Sequence, residues 1–578
     1  MKRFLIATTV LVAVVAVSLA VILPPKRLIL SAPWADGTSP GILHIHSTRS
    51  DGRGTLDDIA SAAARSGLKF IVFTDHGDAT RPPEPPAYRD GVLCLDAVEI
   101  STTGGHYIAL DMPKAPYLLG GEPRDVVDDV RRLGGFGIVA HPDSPKSDLR
   151  WRDWTAPFDA IEIINPDTSW RQQMTVPEPA DRMSWPTRLL VQRIFSYPIR
   201  PAESIASLIQ PTGILDRWDE TVRHRRVVTV AGADAHAQIV WRSSDPEQAR
   251  LVVPVPSYES SFRSMSVRIR PEKALTGNAA TDAGIVARAI RAGHLYTAVD
   301  GAATPPAFEF TATNARGTAT AGDRLGIGGP VVLRVRSNAP PEFTTTIWDG
   351  AKVVSGGHRE QDFSLSVPDG PAVYWVEIRA TGRLPQVPWI TSNPIYVGAA
   401  ESPSKAPGRP PAGVVRALLP GIAAPNWRVE HDATSVAAVD LVMMTTSTDG
   451  TGTAVPTVRF RFGLSGGTPA GQYAALVLDQ STGLTGSDRI AFTARAEQPM
   501  RLSVQLRSDR GRWQRSVYLD TTNQDRSVFF DDMFAAGEAE TGKPTLAEIR
   551  SVLFVVDSTN TRPGTSGRVW ITQPRLEH

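Results

Sequence analysis

The residues able to do chemistry gather in the first half of the chain. Of its eleven histidines, seven lie between His44 and His236, and all of these except His224 stand at the end of an apolar run or in a turn. The first group reads His44-Ile45-His46-Ser47-Thr48-Arg49-Ser50-Asp51-Gly52. Thr74-Asp75-His76-Gly77 follows an apolar run, Val98-Glu99-Ile100-Ser101 ends another, and His106 follows Gly104-Gly105. Ala140-His141-Pro142 and Gly232-Ala233-Asp234-Ala235-His236 close two more. Histidines at i and i+2 of a strand project on one face, so His44 and His46 are expected to reach one cation together. A single strand-end histidine is usually just a hydrogen-bonded residue. Imidazoles and carboxylates delivered by five strand ends point instead to a metal site. The mixed N/O donors suit Zn, Mn or Fe without choosing among them. Cys94 is the only cysteine, which rules out a thiolate cluster and an intrachain disulfide.

Short apolar strands alternating with helical stretches must position these groups. Ile42–Ile45, Lys69–Phe73, Val92–Ile100, Phe136–Ala140, Ala160–Ile164 and Val227–Val230 read as strands. Thr55 can cap a helix reaching Arg65, with Gly67 ending it, and a second helix spans Glu122–Leu133. Strand alternating with helix predicts an α/β domain with parallel strands. Functional groups in such folds collect at the C-terminal strand ends, which is where the histidines fall. A helix is expected near Ala280–Ala292. After Pro305 the texture becomes β-rich with Gly, Pro and Asn between strands, which suits a small sandwich. Residues 401–413 read as a Pro- and Ser-containing linker, and a second β-rich region fills 414–578.

The 578 residues, with 42% hydrophobic and 21% charged, have room for several folded domains. A formal net charge of +1 offers no overall field for nucleic acid. Met1-Lys2-Arg3 precedes an uncharged, largely apolar run from Phe4 to Leu23, followed by Pro24-Pro25-Lys26-Arg27. About 20 apolar residues can cross a bilayer, and no clean Ala-x-Ala cleavage site ends the run. Residues 1–30 are therefore expected to form a signal-anchor rather than a removed signal peptide, with the rest of the chain extracytoplasmic.

Taken in order, the histidine motifs resemble the polymerase-and-histidinol-phosphatase (PHP) superfamily over roughly Gly41 to Gly301. The accessory layout is similar to that of exported carbaryl-hydrolase-type (CehA/McbA-like) members. The resemblance implies a distorted (β/α)7 barrel over 38–302, an Ig-like sandwich over 303–400 and a jelly-roll-like sandwich over 414–578. It implies two or three divalent metals. Carried over by motif, His44, His46, Glu99 and Asp234 hold the first; Glu99 bridges to a second on His106 and His141; Asp51, His76 and His236 hold the third. Two cations sharing a carboxylate lower the pKa of a shared water, and the hydroxide so formed attacks phosphorus or a carbonyl carbon.

The expected activity is phosphoester hydrolysis of a small-molecule substrate. The alternatives are carbamate or ester hydrolysis on the same metals, and a non-catalytic envelope protein that binds glycan. Glu99, Asp75 and Asn165 are the candidate catalytic residues, Asp75 as an orienting or turn residue and Asn165 as a rim contact to substrate. Arg49 and Lys146 are candidate anion contacts. His294 reads as structural, and His224, His358, His431 and His578 lack partner motifs. Trp513, Tyr518 and Trp570 are candidates to stack on sugars, although aromatic residues more often serve a core.

Overall fold

The site-bearing strands begin from local rules. The strand β1 (Ser39–Ile45) is followed by the helix α1 (Leu56–Arg65), which starts in a capping box between Thr55 and Asp58. Ile59, Ala60, Ala62 and Ala63 form its buried stripe, and Gly67 at φ +80° turns the chain into β2 (Phe70–Phe73). The result is a parallel pair in which Ile42 lies opposite Ile71. The computed structural model describes residues 8, 23–175, 196–209, 214–241, 251–381, 386–398, 413–419, 427–445, 454–467, 471–536 and 542–578. The expected anchor lies outside them except for Thr8 and residues 23–30, as does the expected linker from 401 to 412. Among the described residues, no helix is long and apolar enough to cross a membrane.

The chain divides into two compact units, Met1–Pro113 with Glu122–Ser404, and Lys114–Gly121 with Lys405–His578. In the first, β2 pairs in parallel with β3 (Val92–Asp96), and Ala97 separates β3 from β4 (Val98–Thr102). β4 turns back into β5 (Gly105–Leu110), which pairs antiparallel with β6 (Phe136–Ala140). β6 runs parallel to β7 (Ala160–Ile164), β7 to β8 (Val228–Ala235), and β8 to β1. A bridge between His76 and Glu99 joins the end of β2 to β4, so the pairings close on themselves.

Two expectations change here. The run Val92–Ile100 is two strands rather than one, and β4, β5 and β6 pair antiparallel rather than in parallel, although the expected helix, Pro123–Arg132, does join β5 to β6. The cause is the tight Thr102–Gly105 turn, where Gly105 sits at φ +110° against the Trp151 backbone. A side chain there would meet the Trp151 Cα at 2.8 Å. The described residues are mostly β-sheet with few helices.

The residues from 303 onward do not separate from the first unit. Phe308–Asn314, Gly317–Thr320, Val331–Ser337 and Asp362–Val367 form their own four-stranded antiparallel sheet. Pro388–Ser392, however, pairs with β10 (Leu295–Ala298), itself paired with β9 (Ser266–Ile269), which pairs with β1. Ala372–Arg379 then adds to Pro388–Ser392. No boundary between compact units therefore falls at 302. Among the described residues, the second unit has two six-stranded sheets, antiparallel throughout, around a core that includes Phe460, Leu476, Phe492, Val504 and Phe554.

Candidate metal centre

All nine expected ligands converge. Their donor atoms form four overlapping groups, each within 4.8 Å: His46, Asp51, His76 and His236; His44, Glu99 and His141; His44, His46 and Asp234; His76, Glu99 and His106. Glu99 is at the centre. Its Oε1 lies 2.8 Å from His106 Nδ1 and 2.9 Å from His141 Nε2. Its Oε2 lies 3.2 Å from Nε2 of both His44 and His46 and 3.4 Å from His76 Nδ1. Asp234 Oδ1 is 3.4 Å from His44 Nε2 and 3.5 Å from His46 Nε2. Asp51 Oδ1 stands 3.2 Å from His236 Nε2 and 3.5 Å from His46 Nδ1.

The local backbone departs from a regular strand where these groups meet. His44, His141 and Asp234 adopt φ of +65°, +29° and +47°, a region costly for residues with a Cβ. The β1 register shifts between Ile42 and Ile45, and that of β8 between Gly232 and Ala235. His44 and His46 thus reach one cluster through a bulge, not through the strict alternation the sequence suggests. The rings lie 5.2 Å apart.

Burial is graded. His44, His46 and Glu99 are fully buried, whereas the Asp51 side chain is 55% exposed, so the Asp51 group faces solvent. Burial pushes the Glu99 carboxyl up, but the His44 charge and the imidazole hydrogen bonds outweigh it and hold it well below the carboxylate range. Burial alone would lower His44; Glu162, Asp234 and Glu99 reverse that and raise it well above the imidazole range. The cluster thus gathers buried carboxylates that need positive charge beside them. His46 is the telling residue. Both of its ring nitrogens are buried without a hydrogen bond, although carboxylate oxygens lie 3.2 to 3.5 Å away. Imidazole nitrogens in that situation fit a metal ion better than a hydrogen-bond network.

The surroundings contain partners that the sequence reading did not single out. Glu162, 2% exposed on β7, accepts from His44 Nδ1 at 2.6 Å, the His141 N–H at 2.8 Å and the Asn165 amide at 3.0 Å. That hydrogen bond turns His44 Nε2 towards Glu99 and Asp234. Gly232 makes room, since a Cβ there would fall 1.8 Å from Glu162 Oε1. Glu162 is the lone charge inside the apolar run Ala160–Ile164, which was a usable signal. Tyr258 had none. Its hydroxyl donates to the His46 carbonyl at 2.7 Å and accepts from the Gly54 N–H at 3.2 Å, tying down the loop that carries Asp51.

The remaining candidate residues make contacts of their own. Asn165 is buried; its carbonyl oxygen caps the following helix at the Thr168 N–H, 2.9 Å away, and its amide donates to Glu162 at 3.0 Å. Asp75 does not orient His76. It accepts from the Ser47 N–H and hydroxyl, the Ser50 hydroxyl and Arg49, holding the 47–50 turn. Arg49 lies 2.8 Å from Asp75, 3.1 Å from Glu84 and 2.8 Å from Asp96, so its charge is matched within the fold. Lys146 is exposed. His294 pairs with Asp323 at 2.8 Å, a structural contact. In the second unit, Trp513 belongs to the core, Tyr518 stacks on Tyr117 at 5.9 Å, and Trp570 is covered by Arg495 at 3.7 Å.

No family model matches this chain. An uncharacterized protein of Methanocaldococcus jannaschii is 29% identical over 115 residues, which is 19% of this chain. The chain spans 64% of that relative's length. A two-domain protein from Bacteroides vulgatus, described as containing a predicted PHP-like metal-dependent phosphoesterase, aligns over 65% of this chain and 99% of its own at 13% identity and a TM-score of 0.28. The family 11 carbohydrate-binding module of a Clostridium thermocellum cellulase aligns over 29% of this chain and 94% of its own at 15% identity and a TM-score of 0.22. Both TM-scores lie below 0.5, so neither likeness bears on the function.

Proposed function

We propose that the first unit is a metal-dependent hydrolase of the PHP type, that its closed ring of strands is the distorted (β/α)7 barrel, and that it cleaves phosphoesters. The observation that carries this reading is Glu99, buried and within 3.4 Å of five imidazoles. A carboxylate so placed is suited to bridge two cations. His44, His46, Glu99 and Asp234 would hold one, Glu99, His106 and His141 a second, and Asp51, His76 and His236 a third. Bound divalent cations supply an activated water near neutral pH and neutralise charge on the reacting oxygens.

The chain's own residues prepare for that chemistry. Glu162 fixes the tautomer and aim of His44. Asp75 and Tyr258 hold the turn that presents His46 and Asp51. The exposed Asp51 side leaves an open approach for substrate. Three carboxylates among nine donors leave a loaded site with excess positive charge, which suits a phosphoryl group that spreads charge over several oxygens.

A second reading, hydrolysis of carbamates or carboxylic esters, draws on Arg49. Its guanidinium is enclosed by Asp75, Glu84 and Asp96, so it adds no anion contact at the rim. Assays of aryl phosphate, bis-aryl phosphate, aryl acetate and aryl carbamate with Mn- and Zn-loaded protein separate the two. Faster turnover of acetate or carbamate with both metals would replace the first reading by the second. Export with an N-terminal membrane anchor, and glycan contact by the second unit, complete the proposal; protein found wholly in the cytosolic fraction would refute the export.

A further inference from the structure

The opposite ends of the same strands carry a second charged cavity. Pro40 at the start of β1 and Leu68 just before β2 line it, while the metal cluster lies beyond the other ends of these strands. At 3.3 Å per residue, the rise from Pro40 to His44 is about 13 Å. The cavity holds about 280 Å³. Four guanidinium side chains line it, from Arg27, Arg65, Arg263 and Arg268, with Asp300 as the lining carboxylate.

The charges do not balance locally. Arg268 pairs with Asp300 at 3.0 Å, and Asp300 also accepts from Ser266 and Thr304. Arg65 and Arg263 share the single carboxylate of Glu259, each at 2.8 Å. Both also sit at helix C-terminal ends, whose carbonyls offset part of their charge. Arg27 has no carboxylate partner among the described residues. It is nevertheless held in place, because the adjoining strand Leu28–Ile29 pairs with Ala303–Thr304. The Leu28 N–H bonds to the Ala302 carbonyl at 3.0 Å, and the Leu30 N–H to the Thr304 carbonyl at 2.8 Å. Ile29, at the cavity wall, is 76% exposed.

We propose that this cavity is a second anion site that takes a phosphate group, gripped by the guanidinium of Arg27 together with those of Arg65 and Arg263. Planar guanidinium forks match phosphate oxygens in bidentate fashion, and convergence of several on one cavity with too few carboxylates is otherwise self-repelling. The phosphate belongs either to a soluble ester or to a phospholipid headgroup. The exposed Ile29 beside the arginines and the apolar run ending at Leu23, four residues before Arg27, make the second source physically reasonable. The site does not rest on the metal centre, and chelation separates the two.

Titration of inorganic phosphate into the full chain, freed of metal by a chelator, should show one binding event. Arg27→Ala should weaken it about tenfold or more, the loss of a hydrogen bond to a charged group. Because Arg27 pairs with no carboxylate, its removal leaves no buried charge, and an unchanged melting curve should accompany the loss. Arg27→Lys should fall between the two. Unchanged affinity in Arg27→Ala, or heat that chloride reproduces at equal ionic strength, overturns the proposal. Sedimentation with phosphatidylglycerol and with phosphatidylcholine vesicles distinguishes the sources. Extra binding to the anionic vesicles that Arg27→Ala removes assigns a lipid phosphate. Phosphate binding without that increment assigns a soluble ester.

Discussion

Replacing Glu162 by Gln perturbs the centre without changing volume or replacing a proposed ligand. Three donors converge on the two Glu162 oxygens: His44 Nδ1 at 2.6 Å, the His141 N–H at 2.8 Å and the Asn165 amide at 3.0 Å. A glutamine offers one oxygen and one NH2, so in either orientation a donor faces a donor. A buried group left unmatched in this way costs about 1–3 kcal/mol. His44 is also freed to take the other tautomer, which would direct a proton rather than a lone pair at Glu99 and Asp234. Removing such a partner of a ligating histidine typically weakens metal affinity by about 10–100-fold, which corresponds to the same energy range. Competition titration of Zn or Mn against a chromophoric chelator, with circular dichroism to verify folding, measures the effect. Gly232→Ala should reproduce it, because the added Cβ would lie 1.8 Å from Glu162 Oε1 and displace the carboxylate. A folded Glu162→Gln protein whose metal affinity stays within about twofold of the parent would refute the assigned role of Glu162.

Glu99→Gln should remove about 100-fold or more of the activity, since Glu99 belongs to two of the donor groups and is placed to bridge two cations, whereas His76→Ala should cost less; equal, small losses in kcat/KM would contradict the bridging assignment. Tyr258→Phe removes the donor to the His46 carbonyl and the acceptor for the Gly54 N–H, so chemical denaturation should show a loss of about 1–3 kcal/mol, and elemental analysis a lower occupancy of the Asp51 group. Asp282 provides a pH test away from the metals. Burial would raise its carboxyl, but the Tyr88 hydroxyl, with the Thr276 and Gly277 donors, outweighs it and brings it to about 2. Its folded pKa lies below the unfolded value near 3.8, so its stabilisation is complete above about pH 4 and is lost as pH falls towards 2. Asp282→Asn should therefore be less stable at pH 7 and show a flatter acid-unfolding profile in that window; parallel profiles for the two proteins would count against it.

The residues that converge could be picked out in the sequence because histidines and carboxylates recurring at strand ends have few other uses, but which of them share a group came only from the resemblance, and the structure draws His76 to Glu99 and His106 as well as to Asp51. The α1 capping box and Gly67 were equally legible, being contacts within a few residues. Other features required the tertiary structure. The bulges at His44 and Asp234 arise from pairing across β1, β2 and β8, and a period-2 argument cannot anticipate a register shift. The β4–β5 hairpin turns on the close approach of the Trp151 backbone to Gly105, nearly fifty residues along the chain. Glu162 looked like a strand residue until β7 and β8 brought it under His44. Arg49 looked available to an anion until Glu84 and Asp96 closed around it. The strands after residue 303 read as a separate domain because their local pattern is that of any sandwich. The pairing of Pro388–Ser392 with Leu295–Ala298, with Asn393 bonded to Thr229 and Tyr396 to Val227, adds them to the first unit, and a ladder between segments some ninety residues apart leaves no mark on either one alone.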